Sequence, residues 1–550
     1  MTHTVTDNSK TRWQASAPAG ALPVWELFRQ NLRALLHSPW LWAGLAVLAA
    51  LGYGAAMAVP AIDMDDLAID VYQQGGEFLR QGRFTVWLLE ALAGIMHYQR
   101  FWPEFFFAVC LCAAGPVLAA AFGAAARQTV HWGEALLFSA GLLLWPYHGE
   151  ILIYSNQCGV GLGYLLCAAA LALSLPHLLG GGALAGAFGA AVLLAFALGL
   201  YESFAPVWLT LIFGALLLDA ASREPHSCKG KDCFLAILRG AWPLAAALLI
   251  RKAFSALLCV ICGVTGGNST ASKTIFWFRR ASLRDALVIP LREWLTNYAA
   301  SAFGVPALAL LALACLALVI WAVRRRGGNG LRLYAAGMIL SQFALGLLQG
   351  TGAQMARTTQ CFAVFVPFVL WLWLAPALRD SRAPRRILAA VCGAAVLAAE
   401  LVSLTGTLRF NRDRWAYEEQ ILLDTAARLD ELDPTGTMPV AFAGKIELSP
   451  ELTERLVIPA SNPAYKAAYL IHAVLGGPLG ELYRYENPET LVINWAQDAF
   501  GGKEQMYRLM EAVGRPCAAA DDAQQQAANL TAESGEHGIA MQDGYIMVIF

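Results

Sequence analysis

Charged residues are scarce in this chain: 14% of 550 residues, against 58% that are hydrophobic, with a mean hydropathy of +0.51. That scarcity excludes a soluble protein of this length, which would need far more polar surface. A formal net charge of -1 excludes a nucleic-acid partner, because counterion release requires a concentrated basic face. Metal-binding spacings are missing too: there is no HExxH and no CxxC pair at zinc spacing. Most of the twelve cysteines fall inside apolar runs or near their ends, where thiols pack as small apolar groups. CVIC at 259–262 reads as helix packing and Cys517 has no evident soluble partner, so a disulfide framework is not expected. A secretory signal is also lacking, because the run from Ser38 to Pro60 has no short hydrophobic core followed by a cleavage site and reads as a retained span. Finally, LGGPLGELY lacks the strand, GxGxxG and helix context of a nucleotide site.

What the chain does have is a succession of long apolar runs. Windows of about 20 residues predict spans near 38–60, 104–126, 133–147, 157–179, 182–200, 204–221, 235–262, 302–323, 331–349, 360–378 and 386–406. The expected fold is a polytopic α-helical membrane protein with about eleven transmembrane helices. Lys10, Arg12, Arg29 and Arg33 precede the first span and favour a cytoplasmic N-terminus. The basic turns then share the cytoplasmic side: Arg127; Arg223, Lys229 and Lys231; Arg324, Arg325 and Arg326; Arg379, Arg382, Arg385 and Arg386. Residues 1–37 form a cytoplasmic segment, 38–406 a membrane body whose first outer loop is 61–103, and 407–550 an extracytoplasmic α/β domain. In that domain FNRDRWAYEEQILLDTAARL reads as an amphipathic helix, and MPVAFAG and GYIMVIF read as strands.

The first outer loop opens with DMDDLAID, which places Asp63, Asp65, Asp66 and Asp70 within eight residues. Acids suit the positive end of a helix dipole, which would explain a solvated helix start without any function. The density of this cluster at the water–lipid boundary favours proton transfer or cation binding instead. In helical projection Asp66, Asp70, Gln73 and Glu77 form one stripe, and Leu67, Val71 and Phe78 form another. After the turn QGR, FTVWLLEALAGIMHY is predicted to present Phe84, Trp87, Leu88, Ala91, Leu92 and Ile95 as its apolar face. Two interfacial helices joined by Gly82 and Arg83 are expected.

Acids after the first span, two juxtamembrane helices and many spans resemble the GT-C superfamily of polyprenol-phosphate-dependent glycosyltransferases. Within it, Asp65-Asp66 followed by Gly82-Arg83-Phe84, with PVAFAGKIELSP and the closing DGYIMVIF, resembles the bacterial O-antigen glucosyltransferases of the type-II Gtr group. The resemblance implies transfer of a glucosyl group, with inversion, from a polyprenyl-phosphate carrier to a cell-surface glycan, on the outer face of the bacterial inner membrane. Such chemistry needs a carboxylate to take the acceptor proton and cations to steady the departing phosphate. Asp66 or Asp65 is the favoured base, with Asp63 next. Adjacent helical residues point about 100 degrees apart, so one of the pair supports the other.

Candidate phosphate ligands are Arg357 in GTGAQMART, Arg83, and Lys273, Arg279 and Arg280, each of which could equally snorkel toward lipid headgroups. Glu202 and Tyr201 in YESF, Asp70, and His148 in WPYHGEILIYSNQ are candidate sugar or acceptor contacts. Glu150, Asn156 and Gln157 share that last turn. A plain two-helix turn with an interfacial aromatic residue accounts for Glu202 and Tyr201 as well. No pattern calls for a cofactor or a metal, and the loop acids would hold a divalent cation only if the fold gathers them. The competing class is a transporter or flippase for a lipid-linked sugar. It would be expected to show internal repeats and mid-membrane charges on broken helices, which this sequence does not display. A non-catalytic assembly factor is a third reading.

Overall fold

The computed structural model describes residues 23–59, 61, 73, 76–94, 101–152, 154–180, 182–223, 230–265, 305–325, 328–349, 356–444, 449–456 and 504–550. In chain order the helices are α1 (Val24–Leu36), α2 (Pro39–Ala58), α3 (Glu77–Arg80), α4 (Phe84–Ala93), α5 (Trp102–Ala125), α6 (Trp132–Leu143), α7 (His148–Ile151), α8 (Val160–Leu178), α9 (Leu184–Leu200), α10 (Phe204–Ser222), α11 (Gly230–Ile261), α12 (Val305–Arg324), α13 (Asn329–Ser341), α14 (Ala344–Gln349), α15 (Phe362–Leu378) and α16 (Ala383–Leu432). A four-stranded sheet with three further helices follows.

Each of the eleven predicted apolar runs contains helix. Among the described residues, six helices are long and apolar enough to cross a membrane: α2, α5, α8 with its preceding 3-10 turn, α10, α11 and α16. α4, α6, α9 and α15 are apolar but shorter, while α12 has 20 residues. Pro146 follows closely on α6, and the run expected at 331–349 is divided between α13 and α14.

Membrane helices gain nothing from hydrophobic contrast with lipid, so close backbone approach has to hold them together. The packing of α8 on α5 illustrates this. A Cβ on Gly161 would lie 2.6 Å from the Phe107 carbonyl oxygen and 2.9 Å from its Cα, both of them backbone atoms that cannot swing away.

One end of the bundle gathers basic turns. Arg379 makes two 2.5 Å bonds to the carboxylate of Glu134 and a third to the Gln128 side chain. Asp219 lies 2.6 Å from Arg223 and 3.5 Å from Arg127. Asn31 of the amphipathic α1 donates to the Gln128 carbonyl and accepts from the Val130 amide, docking α1 at the same end.

The helix expected over FNRDRWAYEEQILLDTAARL is the continuation of the last apolar run. α16 is a single helix of 50 residues, about 75 Å long. Its first half packs against α15 and α2, and its second half supplies Trp415, Leu422 and Leu429 to the core of the C-terminal domain. There β1 (Pro439–Ala443) runs parallel to both β2 (Ala518–Ala519) and β4 (Tyr545–Ile549), while β3 (Gly538–Gln542) pairs antiparallel with β4. Both strands expected from the sequence are present. Ala61, at the start of the first outer loop, packs against this same core.

Helix α4 buries only part of the apolar stripe expected of it, together with polar residues. Phe84, Thr85, Val86 and Glu90 turn inward, while Leu92 is 83% exposed. In lipid the polar side chains must find partners inside, and the apolar ones are free to face out. Thr85 does this by donating to the Phe196 carbonyl at 2.8 Å.

Gly161→Ala should lower the thermal midpoint of the detergent-solubilised protein or abolish its folding, at a cost of about 1–3 kcal/mol from overpacking. Gly54→Ala, where a Cβ would meet nothing within 4 Å, should leave the midpoint unchanged or raise it slightly.

Candidate functional site

The site is built at the other end of the bundle, around the turn between α3 and α4. The Arg83 amide donates to the Phe78 carbonyl at 2.7 Å and the Gly82 amide to the Leu79 carbonyl at 3.0 Å, the paired closure that ends a helix with a left-handed residue. Gly82 takes that conformation at φ +77°. A Cβ there would come within 2.8 Å of the Arg251 guanidinium, so the position requires glycine on two counts.

Arg251 of α11 reads this turn directly. Its Nε donates to the Gly82 carbonyl and its Nη2 to the Gln81 carbonyl, both at 3.0 Å, and Nη2 also meets Glu202 Oε1 at 2.5 Å. One helical turn further on, Ser255 Oγ donates to the Leu79 carbonyl at 2.7 Å. The C-terminal end of α11 is thereby fastened to the α3–α4 turn, and Arg83 follows that turn immediately.

The Arg83 guanidinium sits 4.7 Å above the ring of Tyr201. With Phe78, Leu200, Asn156 and Gln157, these two residues line a cleft. Arg357 approaches from the far side of the chain. It lies 4.7 Å above the ring of Tyr154, donates to that residue's hydroxyl at 3.4 Å, and stands 3.9 Å from Glu150. Gln360 fixes the Arg357 backbone: its Nε2 donates to the Arg357 carbonyl at 2.7 Å, while its side-chain oxygen accepts from Ser203 and its carbonyl from Tyr164. Both Arg83 Nε and Arg357 Nε are buried without a hydrogen-bond partner among the described residues.

Electrostatics at this end favour fixed charges. Burial weakens the Arg357 charge, but Tyr154, Tyr201 and Glu150 outweigh it and hold the guanidinium above its ordinary range. Burial raises Glu150, and Arg357 offsets this only in part. For Glu202 burial also acts upward, yet Arg83 and Arg251 prevail and hold its carboxyl below the usual range. With 41% of its side chain open, the pairing governs Glu202.

Of the residues singled out from sequence, the structure brings Arg83, Tyr201 and Glu202 together and places Arg357 within electrostatic reach of Tyr201. His148 is fully buried, stacked edge-on to Phe107 and Tyr164, and does not line the cleft. Its Nε2 faces the Leu142 carbonyl at 2.8 Å and must carry the proton, and burial lowers its pKa to about 4. Asp63, Asp65, Asp66, Asp70, Lys273, Arg279 and Arg280 lie outside the described residues. Among the described residues no group of three His, Cys, Asp or Glu side chains is arranged to hold a metal ion.

A family profile described as Glucosyl transferase GtrII matches residues 54–370, more than half of the chain. The chain belongs to this GtrII family. No curated protein matches it. The matched region of the GtrII protein contains Arg83, Tyr201, Glu202, Arg251 and Arg357, and ends before the C-terminal sheet. Membership makes it a glucosyl transferase, with a sugar donor and an acceptor as substrates, and its long apolar helices make it a membrane protein.

Arg251 was missed by sequence reasoning. The signal was the Arg251-Lys252 pair in the apolar second half of a helix of 32 residues, where an ionisable side chain needs a partner. In this GtrII protein, Arg251→Gln should lower the thermal midpoint and reduce transfer at least about tenfold, and the double variant with Glu202→Gln should cost less than the two single changes added together. Thermal melts and initial rates check this. The pH dependence follows from the lowered Glu202. Its contribution is present above the ordinary glutamate pKa and is lost as pH falls through the depressed value. Melts of wild type and Glu202→Gln should therefore differ at neutral pH and converge once pH drops below the glutamate range.

Proposed function

We propose that this GtrII-family protein transfers glucose, with inversion, from a polyprenyl-phosphate carrier to a hydroxyl of a cell-surface glycan, O-antigen or a related polysaccharide. The reaction takes place at the outer face of the bacterial inner membrane, with the C-terminal domain on that same side. The observation that supports this reading is the pair of guanidiniums, Arg83 and Arg357, which both interact with Tyr201 and each keep an Nε–H without a partner among the described residues.

The chemistry suits such a pair. The acceptor oxygen attacks the anomeric carbon, the bond from that carbon to the phosphate oxygen breaks, and the carrier leaves as a monophosphate. The donor phosphodiester carries one negative charge and the departing monoester up to two, so negative charge grows at the phosphate as the bond breaks. Guanidiniums already fixed by packing stabilise that growth without reorganising, and arginine matches phosphate geometry. A carboxylate of the first outer loop, Asp66 or Asp65 and next Asp63, takes the acceptor proton. Arg279, Arg280 and Lys273 are further contacts for the carrier phosphate, and Asp70 for sugar or acceptor. His148, in its observed place, supports the layer beneath the site.

Transfer of labelled glucose from polyprenyl-phosphate-glucose to surface glycan in membranes tests this at matched expression. Arg83→Gln and Arg357→Gln should each slow transfer about 10²–10³-fold, and one of Asp65→Asn and Asp66→Asn should slow it about 10²–10⁴-fold. Undiminished transfer in both aspartate variants would remove the assigned base, and undiminished transfer in both arginine variants would remove the phosphate site.

A further inference from the structure

Asn156 and Gln157 end the 3-10 turn Ser155–Gln157 that leads into α8, and each is only 7% exposed. They line the same cleft as Arg83 and Tyr201. The turn is fixed by the Gln157 amide donating to the Tyr154 carbonyl at 3.0 Å and the Cys158 amide to the Ser155 carbonyl at 3.1 Å. Tyr154, whose ring lies under Arg357, is part of the same short segment. The two side-chain amides therefore stand in the stretch of chain that links the Arg357 side of the site to the Arg83 side.

Gln157 Oε1 is cut off from solvent and has no partner among the described residues. Buried polar groups are nearly always bonded in native proteins, so one left open beside a cleft points to a ligand. The type of atom narrows the choice. Oε1 is an acceptor, and an ionised phosphodiester has no proton to give it, whereas every sugar hydroxyl can donate. The neighbouring amide N–H groups can in turn receive a hydroxyl oxygen. A paired donor and acceptor suit a hexose, and the open Nε–H groups of Arg83 and Arg357 suit its phosphate.

We infer that Gln157, with Asn156 beside it, reads the hydroxyls of the hexose on the lipid-linked donor and so sets which sugar is transferred. This rests on the reading of the cleft as the donor phosphate site. Arg83 and Gln157 line one cleft, so a sugar joined through its anomeric oxygen to a phosphate at Arg83 would have its hydroxyls beside the Gln157 amide.

The test compares wild type with Gln157→Leu and the near-isosteric Gln157→Met. The donors are polyprenyl-phosphate-glucose and its 2-, 3-, 4- and 6-deoxy analogues, and sugar-free polyprenyl phosphate serves as competitive inhibitor. Both variants should lose at least about tenfold in kcat/KM with the glucose donor. For one of the four deoxy donors wild type and variant should be equally slow, because the lost hydroxyl and the lost amide are partners. Inhibition by polyprenyl phosphate should stay within about twofold.

A uniform loss on all donors with weakened inhibition would make Gln157 a packing residue and overturn the inference, as would no loss at all. If the matching deoxy position lies on the acceptor glycan instead, the donor assignment falls. A wild type that transfers from no polyprenyl-linked hexose overturns the parent reading and this one with it, and the wild-type arm alone identifies that case. Monodispersity of both purified variants keeps a folding defect distinct from each of these results.

Discussion

The site depends on one guanidinium. Arg251 projects from a long apolar helix and binds two backbone carbonyls of the 81–82 turn and one carboxylate, Glu202. It thereby ties three parts of the chain together: its own helix α11, the turn between α3 and α4, and the turn between α9 and α10. A neutral side chain there would leave two carbonyls and a carboxylate short of a donor close to the membrane, where water is scarce and unbonded polar groups are costly. Because Arg83 follows the clamped turn directly, its position over Tyr201 is fixed by a residue that does not itself line the cleft. That division of labour leaves Arg83 charged and accessible while Arg251 is saturated. It also explains the glycine between them, since no other residue fits both the backbone conformation and the approach of the guanidinium.

A second constraint runs the length of the molecule. α16 begins beside the basic turn at Arg379, passes the layer that holds His148, where a Cβ on Gly149 would meet Thr407 at 2.8 Å, and ends as the spine of the C-terminal domain. A continuous helix transmits position with little slack, because its backbone hydrogen bonds would have to break before it bent sharply. The C-terminal sheet is therefore held in fixed relation to the membrane body. The same hydrophobic cluster receives Ala61, the residue just before the acidic segment. The entry to the first outer loop and the C-terminal domain thus share a core, although they lie at opposite ends of the sequence.

Much of this was legible in the sequence, because hydropathy and charge act locally. Apolar runs predicted helices, QGR predicted the turn, and MPVAFAG and GYIMVIF predicted strands, all from features spanning a few residues. What escaped prediction depended on contacts between distant segments. Periodicity gave α4 an apolar stripe on an interfacial helix, but it could not show that Thr85 and Glu90 are buried while Leu92 stays exposed. Composition changed near residue 407 and implied a boundary, yet the helix continues because nothing there terminates it. Glu400 passed as one acid in an apolar run. It is 1% exposed, and one of its carboxylate oxygens has no partner among the described residues, a state that no local pattern reveals. Arg83 and Arg357 were named for their charge alone; their meeting at Tyr201 required the fold.

The charge balance at the site bears on the kind of donor it could accept. Arg83, Arg251 and Arg357 face Glu150 and Glu202, and Arg251 is occupied by the turn and by Glu202. One net positive charge remains among these five groups, carried on side chains whose Nε–H groups point into packed surroundings. That suits a single phosphate, whose charge rises by one as its sugar departs. A nucleotide-linked donor brings two phosphates and a base, and proteins that hold one commonly use a glycine-rich loop at a helix N-terminus. The cleft is instead lined by one arginine, Arg83, two aromatic rings and two side-chain amides, with Arg357 reaching Tyr201 from outside the lining. A phosphate tethered to a prenyl chain arrives at that depth already positioned by the membrane. Under the proposed function the site would have only to hold the headgroup, so a small and nearly neutral cleft would serve a donor whose bulk is lipid.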